Sequence, residues 1–147
     1  MDFEQLKLKN QLCFPVYAAS RLIIREYQPY LDKLGITYPQ YLVLMVLWET
    51  DAITVNDISQ KLILNTNTIT PLLKRMEALG IVTRQRSGND ERKVIVSLTN
   101  KGREMQMQAA PIPAGLADSI KQGPLAVDQL IELRNNLNTL IDFLNSK

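Results

Sequence analysis

The chain has 147 residues, enough for one domain with one hydrophobic core, and its 46% hydrophobic and 22% charged content is that of an ordinary globular protein. Net charge is +2, with one cysteine and no histidine. That excludes an intrachain disulfide scaffold and a His- or Cys-rich metal site, and no cofactor is expected. No apolar run approaches the ~20 residues of a membrane span, and Met1 to Asn10 is too polar for a signal peptide's core, so a reducing cytoplasm is the expected location.

In chain order, Cys13 opens an apolar run, and all five tyrosines follow it within residues 17 to 41. Leu12, Val16, Leu22, Ile23, Tyr27, Tyr30, Leu31 and Leu34 recur at helical spacing, predicting a first helix over about 13–34 that ends at Gly35 and is kinked by Pro29. Residues 38–49 form a second helix, apolar nearly all round and therefore buried. Thr54 and Asp57 have capping-box spacing ahead of a short helix, 55–62. Another helix begins near residue 67, after a cluster of small hydrogen-bonding residues, and Gly80 stops it. A strand over 81–86, a turn at 87–90 and a returning strand over 94–98 make a hairpin, and Thr99 caps the helix beyond it. Pro111, Pro113 and Gly115 interrupt that helix, and Gly123-Pro124 mark a further break. The last helix runs from about 126 to 145, with Leu130, Leu133, Leu137, Leu140 and Leu144 at 3-4-3-4 spacing, a seam too short for a free-standing coiled coil.

Short helix, turn, helix and hairpin, in that order, make a winged helix-turn-helix. The fold class expected is mostly α with a small β-hairpin wing. Residues 61–93 carry seven basic and three acidic side chains, net +4, while the rest of the chain is −2. Such asymmetry suits an anion-binding face or an ordinary solvated surface. In a winged helix, Thr66, Asn67, Thr68 and Thr70 would meet the major groove, and Asn67 can pair with adenine. Lys74, Arg75 and Arg86 would serve phosphates, and Arg92 the wing. Taken singly, Thr66, Asn67 and Thr68 are as readily helix caps.

Asp90-Glu91-Arg92, followed by Leu98-Thr99, resembles the wing signature of the MarR family of regulators. Asn10-Gln11-Leu12-Cys13-Phe14, Tyr17-Ala18, Ser20-Arg21, residues 31–34 and 36–42, Leu47-Trp48-Glu49 and residues 72–77 resemble its organic hydroperoxide resistance branch. The resemblance is dense over about residues 7 to 100. It implies a dimeric winged helix that represses transcription and binds a pseudo-palindromic double-stranded operator. An organic hydroperoxide oxidises its cysteine, and the operator is then released.

Cys13 holds that cysteine's place, and Tyr17, Tyr27 and Tyr38 match the tyrosines around it. With no second cysteine, the chain looks like the type whose sulfenate is trapped by a low-molecular-weight thiol. The implied organisation is a single domain over 1–147, with dimerisation helices in 1–35 and 100–147 and a DNA-binding unit in 36–99. Asn65-Thr66-Asn67 stands where the family often has Asp-Ser-Gly, which opens a different base preference.

Pro15 suits a helix starting near Cys13, whose free N–H groups favour thiolate, or is a kink without chemical role. Read alone, a lone intracellular cysteine is usually a small buried hydrophobe. Two rival readings are a MarR-type sensor of phenolic or other small ligands, and a thiol peroxidase built on Cys13. The absent resolving cysteine argues against an enzyme.

If the first helix is continuous, Tyr27 lies fourteen residues beyond Cys13, ~21 Å along the axis. It would then reach only a partner subunit's thiol, with Tyr38 joining from the same partner.

Overall fold

A computed structural model describes residues 1–147, which form two compact units, residues 1–110 and 111–147. The first unit opens with two single 3₁₀ turns, Glu4–Leu6 and Leu8–Asn10. Helix α1 (Cys13–Leu34) is one uninterrupted helix with Pro29 inside it. Helix α2 (Tyr38–Glu49) starts on a full capping box. Thr37 Oγ1 accepts from the Gln40 N–H, Gln40 Oε1 accepts from the Thr37 N–H, and Pro39 sits in the first turn, where its missing N–H costs nothing.

Strand β1 (Ile53–Thr54) leads directly into α3 (Val55–Leu62), where Thr54 and Asp57 make the second capping box. Helix α3 ends on Ile63, an exposed residue held in the left-handed conformation at φ +54°. The buried Ser59 hydroxyl donates to the Leu64 carbonyl and so fixes this tight turn into α4 (Thr66–Ala78). Gly80, at φ +74°, turns the chain out of α4, a conformation that is costly for any residue with a Cβ.

Strands β2 (Val82–Arg86) and β3 (Val94–Leu98) pair antiparallel, from Val82 opposite Leu98 to Arg86 opposite Val94. The hairpin gains a third strand, because β1 pairs along the free edge of β3 and gives the order β1-β3-β2. Two residues offer no alternation to read, and Thr54 serves as both strand and cap, so only tertiary pairing reveals β1. Helix α5 (Asn100–Ala109) is capped by Thr99, whose hydroxyl accepts from the Gly102 N–H.

The core of this unit draws on all five of its helices and on the β2–β3 hairpin. Leu31 comes from α1, Val43, Leu44 and Leu47 from α2, Ile58 from α3, Ile69, Leu73 and Met76 from α4, and Val96 from β3, each essentially inaccessible to solvent. Each such side chain stabilises the fold by roughly 1.5–3 kcal/mol. Helix α2 is less fully enclosed than its composition implies. Tyr41, Val43, Leu44 and Leu47 are buried, whereas Met45 is exposed and Leu42 and Val46 are half-buried.

The second unit holds α6 (Ile112–Lys121) and α7 (Val127–Asn145). The breaks expected at Pro113 and Gly115 are not there. Pro113 sits in the first turn of α6, where a proline is tolerated, and Gly115 lies within the helix. The chain breaks at Ala110-Pro111, and again between Lys121 and Val127, the region of Gly123-Pro124. No residue of α7 is buried, and Leu130 and Leu137 of its seam are half-exposed while Leu133, Leu140 and Leu144 are exposed.

Candidate functional site: a thiol, a tyrosine cluster and a basic wing

Cys13 is exposed and is the first residue of α1, so its side chain sits beside the helix's unpaired N–H groups. Tyr17, one turn on, is also exposed, and the Arg21 guanidinium carbon lies 5.4 Å from the centre of its ring. Cys13, Tyr17 and Arg21 therefore form a stripe at i, i+4 and i+8 on one helical face.

The other two expected tyrosines are elsewhere. Tyr27, from the C-terminal half of α1, packs on Tyr38 at the start of α2, with ring centres 4.9 Å apart. Because α1 is unbroken from residue 13 to 34, ~21 Å of helix axis separates Tyr27 from Cys13 of the same chain. Tyr41 completes a triangle, 5.8 Å from Tyr27 and 6.2 Å from Tyr38. Sequence reasoning left Tyr41 out. Its three-residue spacing from Tyr38 on α2 was the available signal, since it places both on one face. Burial, followed by the neighbouring Tyr38 and Tyr41 hydroxyls, pushes the Tyr27 phenol up to about 12. Burial also raises Tyr38 and Tyr41 above the ordinary tyrosine value. All three stay neutral donors at physiological pH.

The second constellation lies on α4 and the hairpin. The cap of α4 is Asn65, whose side-chain oxygen accepts from the Thr68 N–H at 3.1 Å. Capping therefore falls to Asn65, and Thr66 and Asn67 stand on the exposed first turn. Thr68 is exposed with its hydroxyl 3.5 Å from the cap oxygen, and Thr70 is half-buried. Lys74 and Arg75 are exposed further along α4.

In the wing, Asp90 accepts from the Arg92 backbone N–H at 3.0 Å and from Arg92 Nε at 3.1 Å, which holds its carboxyl below the usual aspartate value. The Arg92 side chain is nonetheless 91% exposed. Arg86 spends one donor on the Glu91 carbonyl across the turn, at 2.7 Å. A groove of about 400 Å³ runs between these elements, lined among others by Thr54, Asp57, Thr70, Arg84 and Lys93. Arg84, which the sequence marks only as part of the basic segment, pairs with Glu77 at 3.2 Å and leaves its Nε buried without a partner.

A helix-turn-helix followed by a β-hairpin wing defines the class: a winged-helix regulator. The family model described as "Transcriptional regulator SarA/Rot" matches residues 25–108. The organic hydroperoxide resistance transcriptional regulator of Bacillus subtilis is 46% identical over 99% of this chain and 97% of its own length. The regulator MgrA of Staphylococcus aureus is 36% identical over 94% of this chain and 92% of its own. Among solved structures, reduced AbfR bound to DNA superposes with a TM-score of 0.80 at 38% identity, covering 99% of this chain and 98% of that one. Overoxidised AbfR bound to DNA superposes at 0.76, also at 38% identity, covering 96% and 97%. This chain belongs to the MarR family of transcriptional regulators, in its organic hydroperoxide resistance branch and with a single cysteine.

Proposed function

We propose that this protein is a homodimeric repressor that holds a pseudo-palindromic DNA operator while Cys13 is reduced and leaves it once an organic hydroperoxide has oxidised that thiol. The observation that carries this reading is the exposed Cys13 at the first turn of α1, in the same chain as a basic winged helix. The Cys13 thiolate attacks the terminal oxygen of the hydroperoxide. An S–O bond forms, the O–O bond breaks, and the organic fragment leaves as an alcohol after taking a proton. Sulfur is oxidised by two electrons to a sulfenic acid. A low-molecular-weight thiol then condenses with it, forming a mixed disulfide and water.

In the dimer, α1, α6 and α7 supply the interface and residues 36–99 the DNA-binding unit. Tyr17 is the tyrosine near Cys13 of its own chain. Tyr27 and Tyr38 reach the partner's thiol, because within one chain the length of α1 keeps Tyr27 away from Cys13. Thr66, Asn67, Thr68 and Thr70 read the major groove, Lys74, Arg75 and Arg86 neutralise phosphates, and Arg92 enters the minor groove at the wing. A role in organic hydroperoxide resistance is supported by the B. subtilis relative, and DNA binding by the AbfR complexes.

Operator binding with and without an organic hydroperoxide plus a small thiol tests the reading. Wild type should lose affinity on oxidation. Cys13→Ser should bind like the reduced wild type and ignore the oxidant. A Cys13→Ser protein that still releases DNA would mark a small-ligand sensor instead, and the groove beside Arg84 is where such a ligand would be sought.

A further inference from the structure

The chain's single tryptophan is used neither by the thiol nor by the DNA-facing surface. Trp48 stands in the last turn of α2, at the opposite end from Tyr38. Its ring meets Tyr41 edge-on, with centres 6.4 Å apart and planes at 72°. Its indole N–H donates to the Gly102 carbonyl of α5 at 2.9 Å, a bond between residues 54 apart in sequence.

Gly102 is buried, and a Cβ there would lie 2.3 Å from the Ile81 carbonyl oxygen. The α5 backbone thus rests directly on the residue that leads into β2. Thr99 ties the same spot together. Its hydroxyl lies 2.6 Å from the Gly80 carbonyl oxygen and 3.0 Å from that of Ile81, while accepting from the Gly102 N–H at 3.1 Å. One end of α2 therefore holds the tyrosine cluster. The other end is fastened to the joint where α4, the wing and α5 meet.

We propose that α2 is a rigid strut between the tyrosine cluster and the DNA-reading unit, and that the Trp48 indole–Gly102 hydrogen bond fastens it there. Trp48 is then a positioning residue for the redox switch; this rests on the function proposed above. Twelve helical residues span ~18 Å and bend little, so a displacement of Tyr38 and Tyr41 moves the far end of α2 as well. A purely apolar contact at residue 48 would set no particular atom-to-atom alignment, because the hydrophobic effect has no direction. The hydrogen bond supplies direction. As a helical carbonyl, Gly102 also accepts within α5, so losing the indole donor leaves no orphaned group. Trp48→Phe therefore removes the fastening and keeps an aromatic ring in place.

The experiment compares wild type, Cys13→Ser and Trp48→Phe, using cumene hydroperoxide with free cysteine as oxidant and trap. Mass spectrometry follows Cys13, and operator affinity is measured before and after oxidation. Reduced Trp48→Phe should bind operator like reduced wild type and form the mixed disulfide at the wild-type rate. Its loss of affinity on oxidation should be about tenfold smaller than that of wild type, a change within the usual range of coupling between sites.

Trp48 is also its own reporter, since no other indole contributes to emission. In wild type the emission should shift in step with operator release, and in Cys13→Ser it should not move. A Trp48→Phe protein that keeps the full wild-type loss of affinity overturns the strut. So does Trp48 emission that stays constant while wild type releases DNA, a readout that stands even if Trp48→Phe fails to fold. Wild-type Cys13 that resists the hydroperoxide altogether would instead overturn the sensing function, and the strut with it.

Discussion

A tyrosine is informative here for where its hydroxyl is kept neutral. Tyr27 sits among Tyr38 and Tyr41, and burial together with those neighbours lifts it from an ordinary 10.0 to about 12. The folded state therefore binds the phenolic proton more tightly than the unfolded chain does. The resulting stabilisation is fully present below pH 10 and is lost as pH rises through about 12. Equilibrium unfolding followed from pH 9 to 12 should show stability falling across this window. Tyr27→Phe should flatten the fall, leaving the share of Tyr38 and Tyr41, which are raised in the same direction. An unchanged slope in Tyr27→Phe would mean that the cluster does not hold Tyr27 as described. Tyr17, by contrast, is exposed one turn from Cys13 and belongs to a different environment on the same helix. Matching the tyrosines by sequence groups Tyr17, Tyr27 and Tyr38, whereas space groups Tyr27, Tyr38 and Tyr41.

Between elements, the wing shows how a weak pair can orient an exposed charged side chain. An exposed Asp–Arg pair contributes only ~0–1 kcal/mol to stability. The Asp90–Arg92 pair nevertheless sets the direction of a guanidinium that is otherwise free in solvent. Arg92→Ala should leave the melting temperature nearly unchanged, weaken operator binding, and reduce the slope of log affinity against log salt by about one. Affinity unchanged across salt would show that the wing does not touch DNA. The start of α4 has a comparable division of labour. Asn65 caps the helix and leaves Thr66 and Asn67 exposed, a split that residue types alone do not disclose because all three are good caps.

At the scale of the whole molecule, uncovered apolar surface stands out. Phe14, Val16, Leu22 and Ile23 on α1 are exposed, and so are Ile131, Leu133, Leu140, Ile141 and Phe143 on α7. Helix α1 buries one residue, Leu31, and α7 buries none. A monomer rarely leaves so many large apolar side chains of a helix in water, so a second copy is the expected cover for each of these helices. Sedimentation at micromolar concentration should show a dimer, and thermal unfolding should depend on protein concentration. Leu133→Asp with Leu140→Asp should shift the protein towards monomer and lower operator affinity, since paired recognition helices ~34 Å apart are what a pseudo-palindrome requires. A wild-type protein that sediments as a stable monomer would remove the dimer and, with it, the reach of Tyr27 to a partner's thiol.

The sequence by itself determined most of the helices, because their signals are local; α6, which runs through Pro113 and Gly115, is the exception. The period of apolar residues marks α1, the Thr54–Asp57 spacing opens α3, and Gly80 closes α4. It also marked Cys13 and the basic segment, since residue type is all that such chemistry needs to be noticed. What tertiary structure decided depends on residues far apart in the chain. The pairing of β1 with β3, the burial of Arg84 Nε and the Tyr27–Tyr38–Tyr41 cluster leave no periodic trace in one-dimensional order. The same holds for the Trp48–Gly102 bond, in which an indole spans 54 residues of sequence to a helix whose backbone lies flush on another strand's root. Spacing within one element carries local geometry, but the meeting of two elements is fixed by how the whole core packs.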